Sequence, residues 1–222
     1  MDAKVKNAVE AGAKSYASLE NIDATSFLKA IEAAFDADAP FMDKVQLMDD
    51  VFDNEQPFEE LREIFFDLIM INFFAQDVQK LEEDYLDSEE WEAIEEDTID
   101  RGTELLNVFL YLKECADEEI EADLEDYLKE FLLVEEDEFQ DEYRIYEKVI
   151  ANQILIESDY PEIAKVSNTV ESNDELFELF YPIVSFFYEQ NPDAEQLKAF
   201  TSAASNKSFE TSVYEVIVNF NK

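Results

Sequence analysis

Three observations predict an all-α fold for this chain, a compact multi-helix bundle of about 9–11 helices. The sequence holds two glycines, Gly12 and Gly102, and five prolines, so it lacks the turn chemistry that a sheet protein needs every 8–12 residues or so. Apolar residues recur at helical spacing along most of its length. Two stretches, 58–78 and 176–188, are apolar on most sides, the pattern of buried central helices.

Each element follows from local signals, with ends uncertain by a few residues. MDAKVKNAVEAGAKSY reads as an amphipathic helix over 2–17, followed by one over 24–37. Pro40 opens 40–53 and Pro57 opens 57–86, at positions where a missing N–H costs nothing. Ser88 caps a helix over 89–115, in which Leu105, Val108, Phe109 and Leu112 share a face. Leu124, Tyr127, Leu128, Phe131 and Leu132 do the same over 118–134, with acids between them. Phe139, Tyr143, Tyr146, Ile150 and Ile154 place a helix over 137–157. Pro161 opens 161–171. Ser172 and Glu175 have capping-box spacing at the head of 174–190, with Pro182 expected to kink or break it. Asn191 caps 192–204, ahead of Pro192. A last helix over 208–220 carries Phe209, Val213, Val216, Ile217 and Phe220.

Composition predicts one folded domain, 1–222. Acidic disordered chains are poor in aromatic residues, whereas 47% of this one is hydrophobic and 14% aromatic. Its length suffices for one core. One cysteine, Cys115, precludes an internal disulfide. The longest apolar run, Ile64 to Ala75, is about half of what a bilayer requires and contains Asp67 and Asn72. No membrane association is expected, and the location expected is cytoplasmic.

Charge is the sequence's most informative property. The chain has 57 acids against 16 bases and no histidine, a net charge of −41. Small domains manage on about 2–8, and such an excess of one sign opposes the compact state. The excess is concentrated: Glu82 to Glu147 holds 28 acids against Arg101, Lys113, Lys129 and Arg144, a local charge of −24. Residues 82–147 are therefore the expected acidic surface, while both ends of the chain are near neutral.

The absences exclude much chemistry. Without histidine there is no Ser-His-Asp triad, no Cys-His pair and no HExxH zinc site. Two isolated glycines make no P-loop, GxGxxG turn or GxSxG elbow. Cys115 sits among carboxylates that disfavour its thiolate and reads as a small packed residue. Asp49 to Glu60, DDVFDNEQPFEE, begins and ends like a calcium loop but has Asn54 where the turn glycine belongs. It reads as a helix-to-helix turn with solvated acids. No enzymatic activity, cofactor or metal is expected.

The densest acid runs from Glu82 to Asp100, 11 acids in 19 residues. As one continuous helix this would be roughly 27 Å of carboxylate at one acid per 2.5 Å or so, comparable with the one charge per about 1.7 Å of duplex DNA. The chain shares its general character, small and acidic, with immunity proteins and DNA mimics, without a common motif. The function expected is neutralisation of a basic protein partner, either a toxin such as a nuclease or a nucleic-acid-binding enzyme, by occluding its basic groove. Direct nucleic-acid binding is opposed by the sign of the charge. The candidate contact residues are Glu82, Glu83, Asp84, Glu89, Glu90, Trp91, Glu92, Glu95, Glu96, Asp97 and Asp100. Trp91, flanked by Glu90 and Glu92, is the candidate aromatic anchor. Two other readings are a chaperone or adaptor for a basic partner, and a plain helical protein whose charge serves no recognition.

Overall fold

A computed structural model describes residues 1–81, 83–131, 133–135, 138–139 and 145–222. Side chains are described for these residues except 78, 79, 83, 130, 131, 133–135, 138 and 139. The architecture is all-α. Thirteen α-helical segments occur among the described residues, three of them five residues or shorter. No helix among them is long and apolar enough to cross a membrane.

The first and last long helices form the tightest pair. α1 (Ala3–Glu20) starts at Asp2, whose carboxylate accepts the N–H groups of Lys4 and Val5. It lies against α13 (Lys207–Asn221), capped by the Asn206 side chain. The approach is close because Gly12 has no side chain. A Cβ there would fall 2.4 Å from Val216 Cγ2, and the Ser212 hydroxyl donates to the Gly12 carbonyl at 2.9 Å. α13 is buried from Ser208 to Val218 except at Glu215, which makes it a third central helix beside the two expected from sequence.

Those two are present in shortened form. The apolar run after Pro57 becomes a 3-10 segment, Gln56–Leu61, and then α4 (Arg62–Gln76), buried continuously from Ile64 to Asn72. Phe27, from α2 (Thr25–Phe35), stacks on Phe58 at 4.0 Å. It also meets Phe52, from α3 (Phe41–Asn54), edge-on at 5.2 Å. The expected helix over 174–190 begins only at Phe180, giving α11 (Phe180–Tyr188). Pro182 thus lies in the first turn, where its missing N–H breaks no bond, and the expected kink becomes a helix start. Ser172 caps nothing, and Asp174 instead accepts the Leu176 N–H at 3.0 Å within a turn. α12 (Ala194–Ala203) is capped by Asp193 in a capping box with Gln196, not by Asn191.

The acidic middle departs furthest from expectation. Residues 57–86 end in a 3-10 turn, Val78–Leu81, and the short α5 (Glu83–Leu86), followed by α6 (Glu89–Thr98) and α7 (Leu105–Glu118). The helix expected over 118–134 shrinks to α8 (Leu124–Asp126) and a π turn, Tyr127–Phe131. Next come β1 (Leu133–Glu135) and β2 (Glu138–Phe139), an antiparallel pair with Leu133 opposite Phe139 and Glu135 opposite Glu138. Tyr143 lies outside the described residues. The helix expected over 137–157 survives as α9 (Glu147–Ala151) and a 3-10 turn, Gln153–Glu157, in which Ile154 points outward. α10 (Tyr160–Ser167) begins with Pro161 in its first turn.

Candidate partner-binding surface

The line of acid from residue 82 bends. Asp87 and Ser88 separate α5 from α6, and the Ser88 hydroxyl caps α6 by accepting the Trp91 N–H at 3.2 Å. The break falls at the expected Ser88 cap, so the acid runs over two helical pieces. The longer, α6, is about 15 Å of helix at 1.5 Å per residue. Glu82 lies outside the described residues, Glu83 opens α5, and Asp84 is exposed on it.

α6 is sided. Trp91, Ile94 and Thr98, at i, i+3 and i+7, face inward, and Thr98 closes that face by donating to the Ile94 carbonyl at 2.7 Å. Trp91 is half-buried, 5.3 Å from Phe74 and 6.2 Å from Tyr85 between ring centroids. Its indole serves as much to seat α6 on α4 as to face solvent. Glu89, Glu90, Glu92, Glu95, Glu96 and Asp97 are all exposed, and Asp100 beyond the helix is exposed too. Neighbouring carboxylates on one helix face stand about 5–6 Å apart.

None of these seven carboxylates has an ion pair among the described residues. From Leu81 to Asp100 the chain has no base, and three bases elsewhere are engaged by other groups. Lys113 pairs with Asp117 at 2.7 Å, and the Lys80 ammonium lies over the Phe73 ring at 3.5 Å. Arg62 gathers Asp49, Asp53 and Glu59 within 3.1 Å. The acids of DDVFDNEQPFEE are thus not all solvated, as its reading as a simple turn implies. Three of them converge on one guanidinium.

Arg101, next to Asp100, is the base nearest in sequence to α6, and it is turned inward. Its guanidinium contacts Asp49 through Nη1 and Nη2 at 3.0 and 3.1 Å, reaches Glu63 through Nε at 3.2 Å, and stacks on Phe66 at 4.7 Å. Gly102 follows with φ +81°, which favours glycine, and a Cβ there would lie 2.7 Å from Asp67 Oδ1. Its N–H donates to Glu63 at 2.9 Å. Thr103 donates to Asp67 twice, through its N–H at 2.9 Å and its hydroxyl at 2.5 Å. Asp67 is fully buried, and that burial pushes its carboxyl well above the usual range, against the lowering effect of the Thr103 bonds. A buried carboxyl on α4 thus holds the loop that follows the acidic helix.

Sequence reasoning missed this tether and what it displays. Ile99 is 78% exposed, more than any other large hydrophobic residue described. The signal available was DTIDRGT, where one of only two glycines follows an arginine inside a strongly acidic stretch. Further along, Glu114, Asp117, Glu118, Glu119, Glu121, Asp123, Glu125 and Asp126 are exposed, while Val108, Phe109, Leu112, Leu124, Tyr127 and Leu128 are buried. Tyr127 and Tyr146 pack inward and share a hydroxyl contact of 2.9 Å, with Tyr146 donating to Glu104 at 2.7 Å. Cys115 is buried, which raises its thiol pKa.

Away from the acid, a cavity of about 300 Å³ lies between Asn168, Phe177, Phe209 and Glu210. Burial raises the Glu210 carboxyl, which accepts the Asn206 N–H at 3.1 Å as part of the α13 cap. No known protein family matches the chain, and neither does a curated protein or a solved structure.

Proposed function

We propose that this protein neutralises a basic protein partner without catalysis, by laying α5, α6 and Asp100 across the partner's basic groove. The partner class is a toxin such as a nuclease, or an enzyme that grips nucleic acid. One observation carries the reading: seven exposed carboxylates between Glu89 and Asp100 have no ion pair among the described residues. A solvated face needs acids for solubility but gains from interspersed bases, and this face has none. A single-sign field of that kind raises the encounter rate with an opposite charge by about 10–10³-fold, falling with salt.

The test compares the wild type with a variant carrying Gln at Glu89, Glu90, Glu92, Glu95 and Glu96, both immobilised and exposed to native lysate. The expected result is one basic protein retained at one-to-one stoichiometry by the wild type, released at moderate salt, and associating several-fold more slowly with the variant. Equal retention by both would remove α6 from the interface. Retention of nothing, or of many weak basic proteins, would reduce the charge to a solubility trait.

A further inference from the structure

Resting on that reading of the acidic surface, we infer that Ile99 is its apolar anchor. The partner feature it fits is an apolar patch ringed by lysine or arginine. Isolated exposed hydrophobic residues are ordinary, so exposure alone decides nothing. Ile154 is also 69% exposed, but the four residues on each side of it hold one acid, Glu157, against four around Ile99. Ile99 differs in two ways.

The first is charge. Glu95, Glu96, Asp97 and Asp100 surround it in sequence, all exposed and none ion-paired among the described residues. Glu95 and Glu96, at i−4 and i−3, share its side of the last helical turn, so an exposed apolar residue stands beside exposed acid, the pairing in which an anchor supplies affinity and the charge supplies steering. An uncharged partner surface would desolvate those acids without compensation. A purely polar basic surface would leave the isoleucine in contact with charge. The chemistry that satisfies both is an apolar patch with a basic rim.

The second is rigidity. The backbone that presents Ile99 is fixed at both ends. α6 ends one residue before it, at Thr98, and the Arg101 N–H donates to the Thr98 carbonyl at 2.8 Å. Two residues after it begins the run Arg101, Gly102 and Thr103, held by Asp49, Glu63 and Asp67. An anchor ordered before binding avoids the entropy of being ordered by it. Asp67 is the buried acceptor on which this hold depends.

The experiment measures binding of two synthetic peptides at low salt, an amphipathic LKKLLKLLKKLLKL and hexalysine. The proteins are the wild type, Ile99→Ser, Ile154→Ser and the Gln variant above, each first shown by circular dichroism to melt as a folded protein. The expected result is that Ile99→Ser weakens the amphipathic peptide about tenfold, by losing most of one buried side chain, and leaves hexalysine unchanged. Ile154→Ser alters neither, and the Gln variant weakens both. If Ile99→Ser binds the amphipathic peptide as the wild type does while the Gln variant weakens both, the anchor is wrong and the charged surface stands. If the Gln variant binds both peptides normally, or the wild type binds neither, the surface itself is wrong and the anchor falls with it.

Discussion

Arg101 and Asp49, 52 residues apart, meet through two nitrogen–oxygen contacts of 3.0 and 3.1 Å. This pair fastens the end of the acidic helix to α3, and Glu63 extends the attachment to α4 at 3.2 Å. The fork shape of the guanidinium matters as much as its charge, since an ammonium makes no such paired contact. Arg101→Ala is expected to cost about 2 kcal/mol, a fall in Tm of about 4–8 °C for a protein of this size. Arg101→Lys should recover less than half of it. Thermal unfolding of the two variants decides the matter, and full recovery by lysine would reduce the contact to charge alone.

Asp67 gives a pH test with a defined sign. Burial raises its folded pKa, with Glu63 and Glu104 pushing the same way, so folding favours the neutral acid. Its contribution to stability is complete below the unfolded value of about 3.9. That contribution is lost as pH rises through the higher folded value. Asp67→Asn does not titrate and retains an acceptor for the Thr103 N–H. The Tm of the asparagine variant should therefore gain on the wild type as pH increases above about 4. A gap that stays constant from acid to neutral pH would mean Asp67 is ionised at no stability cost.

Gly12 is the contact point of α1 and α13. Alanine is the better helix former by about 1 kcal/mol, yet its methyl would lie 2.4 Å from Val216 Cγ2. Overpacking costs about 1–3 kcal/mol, and at this distance the overlap should win, so Gly12→Ala lowers Tm. Adding Val216→Ala should cost less in the Gly12→Ala background than in the wild type, a coupling that a double-mutant cycle reads directly. A higher Tm for Gly12→Ala alone would show that the helices separate freely.

The acids of α6 should differ in sign along the helix. Glu89, Glu90 and Glu92 occupy its first turn, where the positive pole of the helix favours them, whereas Asp97 sits near the negative pole with no base in the last turn to offset it. Glu89→Gln and Glu90→Gln are expected to lower Tm slightly, and Glu96→Gln and Asp97→Asn to raise it. Added salt should raise the Tm of the wild type more than that of the five-glutamine variant, since screening relieves self-repulsion. Matching shifts in all four single variants would argue that only net charge matters.

The helical class is legible in sequence because glycine and proline are scarce, and the buried character of α4 because its apolar residues surround it. Other features depend on partners distant in the chain. α13 reads as an amphipathic helix because Thr211 and Ser212 look polar, but both are buried, Thr211 hydrogen-bonding Thr201 of α12 and Ser212 the Gly12 carbonyl of α1. On the acidic surface, exposure of the carboxylates is readable from their number. The inward turn of Arg101 is not, because Asp49, Glu63 and Asp67 lie 34 to 52 residues upstream. Trp91, the expected anchor, is half-buried, its ring sharing the Ile94 and Thr98 side of α6 with contacts to Phe74 and Tyr85.

The pairing of α1 with α13 also sets an order of events during synthesis. The apolar face of α1, with Val5, Ala8, Val9 and Ala13, is made about 200 residues ahead of α13, its main cover. At about 5–20 residues per second, α1 waits on the order of 10–40 s with that face open to water or to whatever else will shield it. α1 thus reaches its native environment only after α13 has emerged.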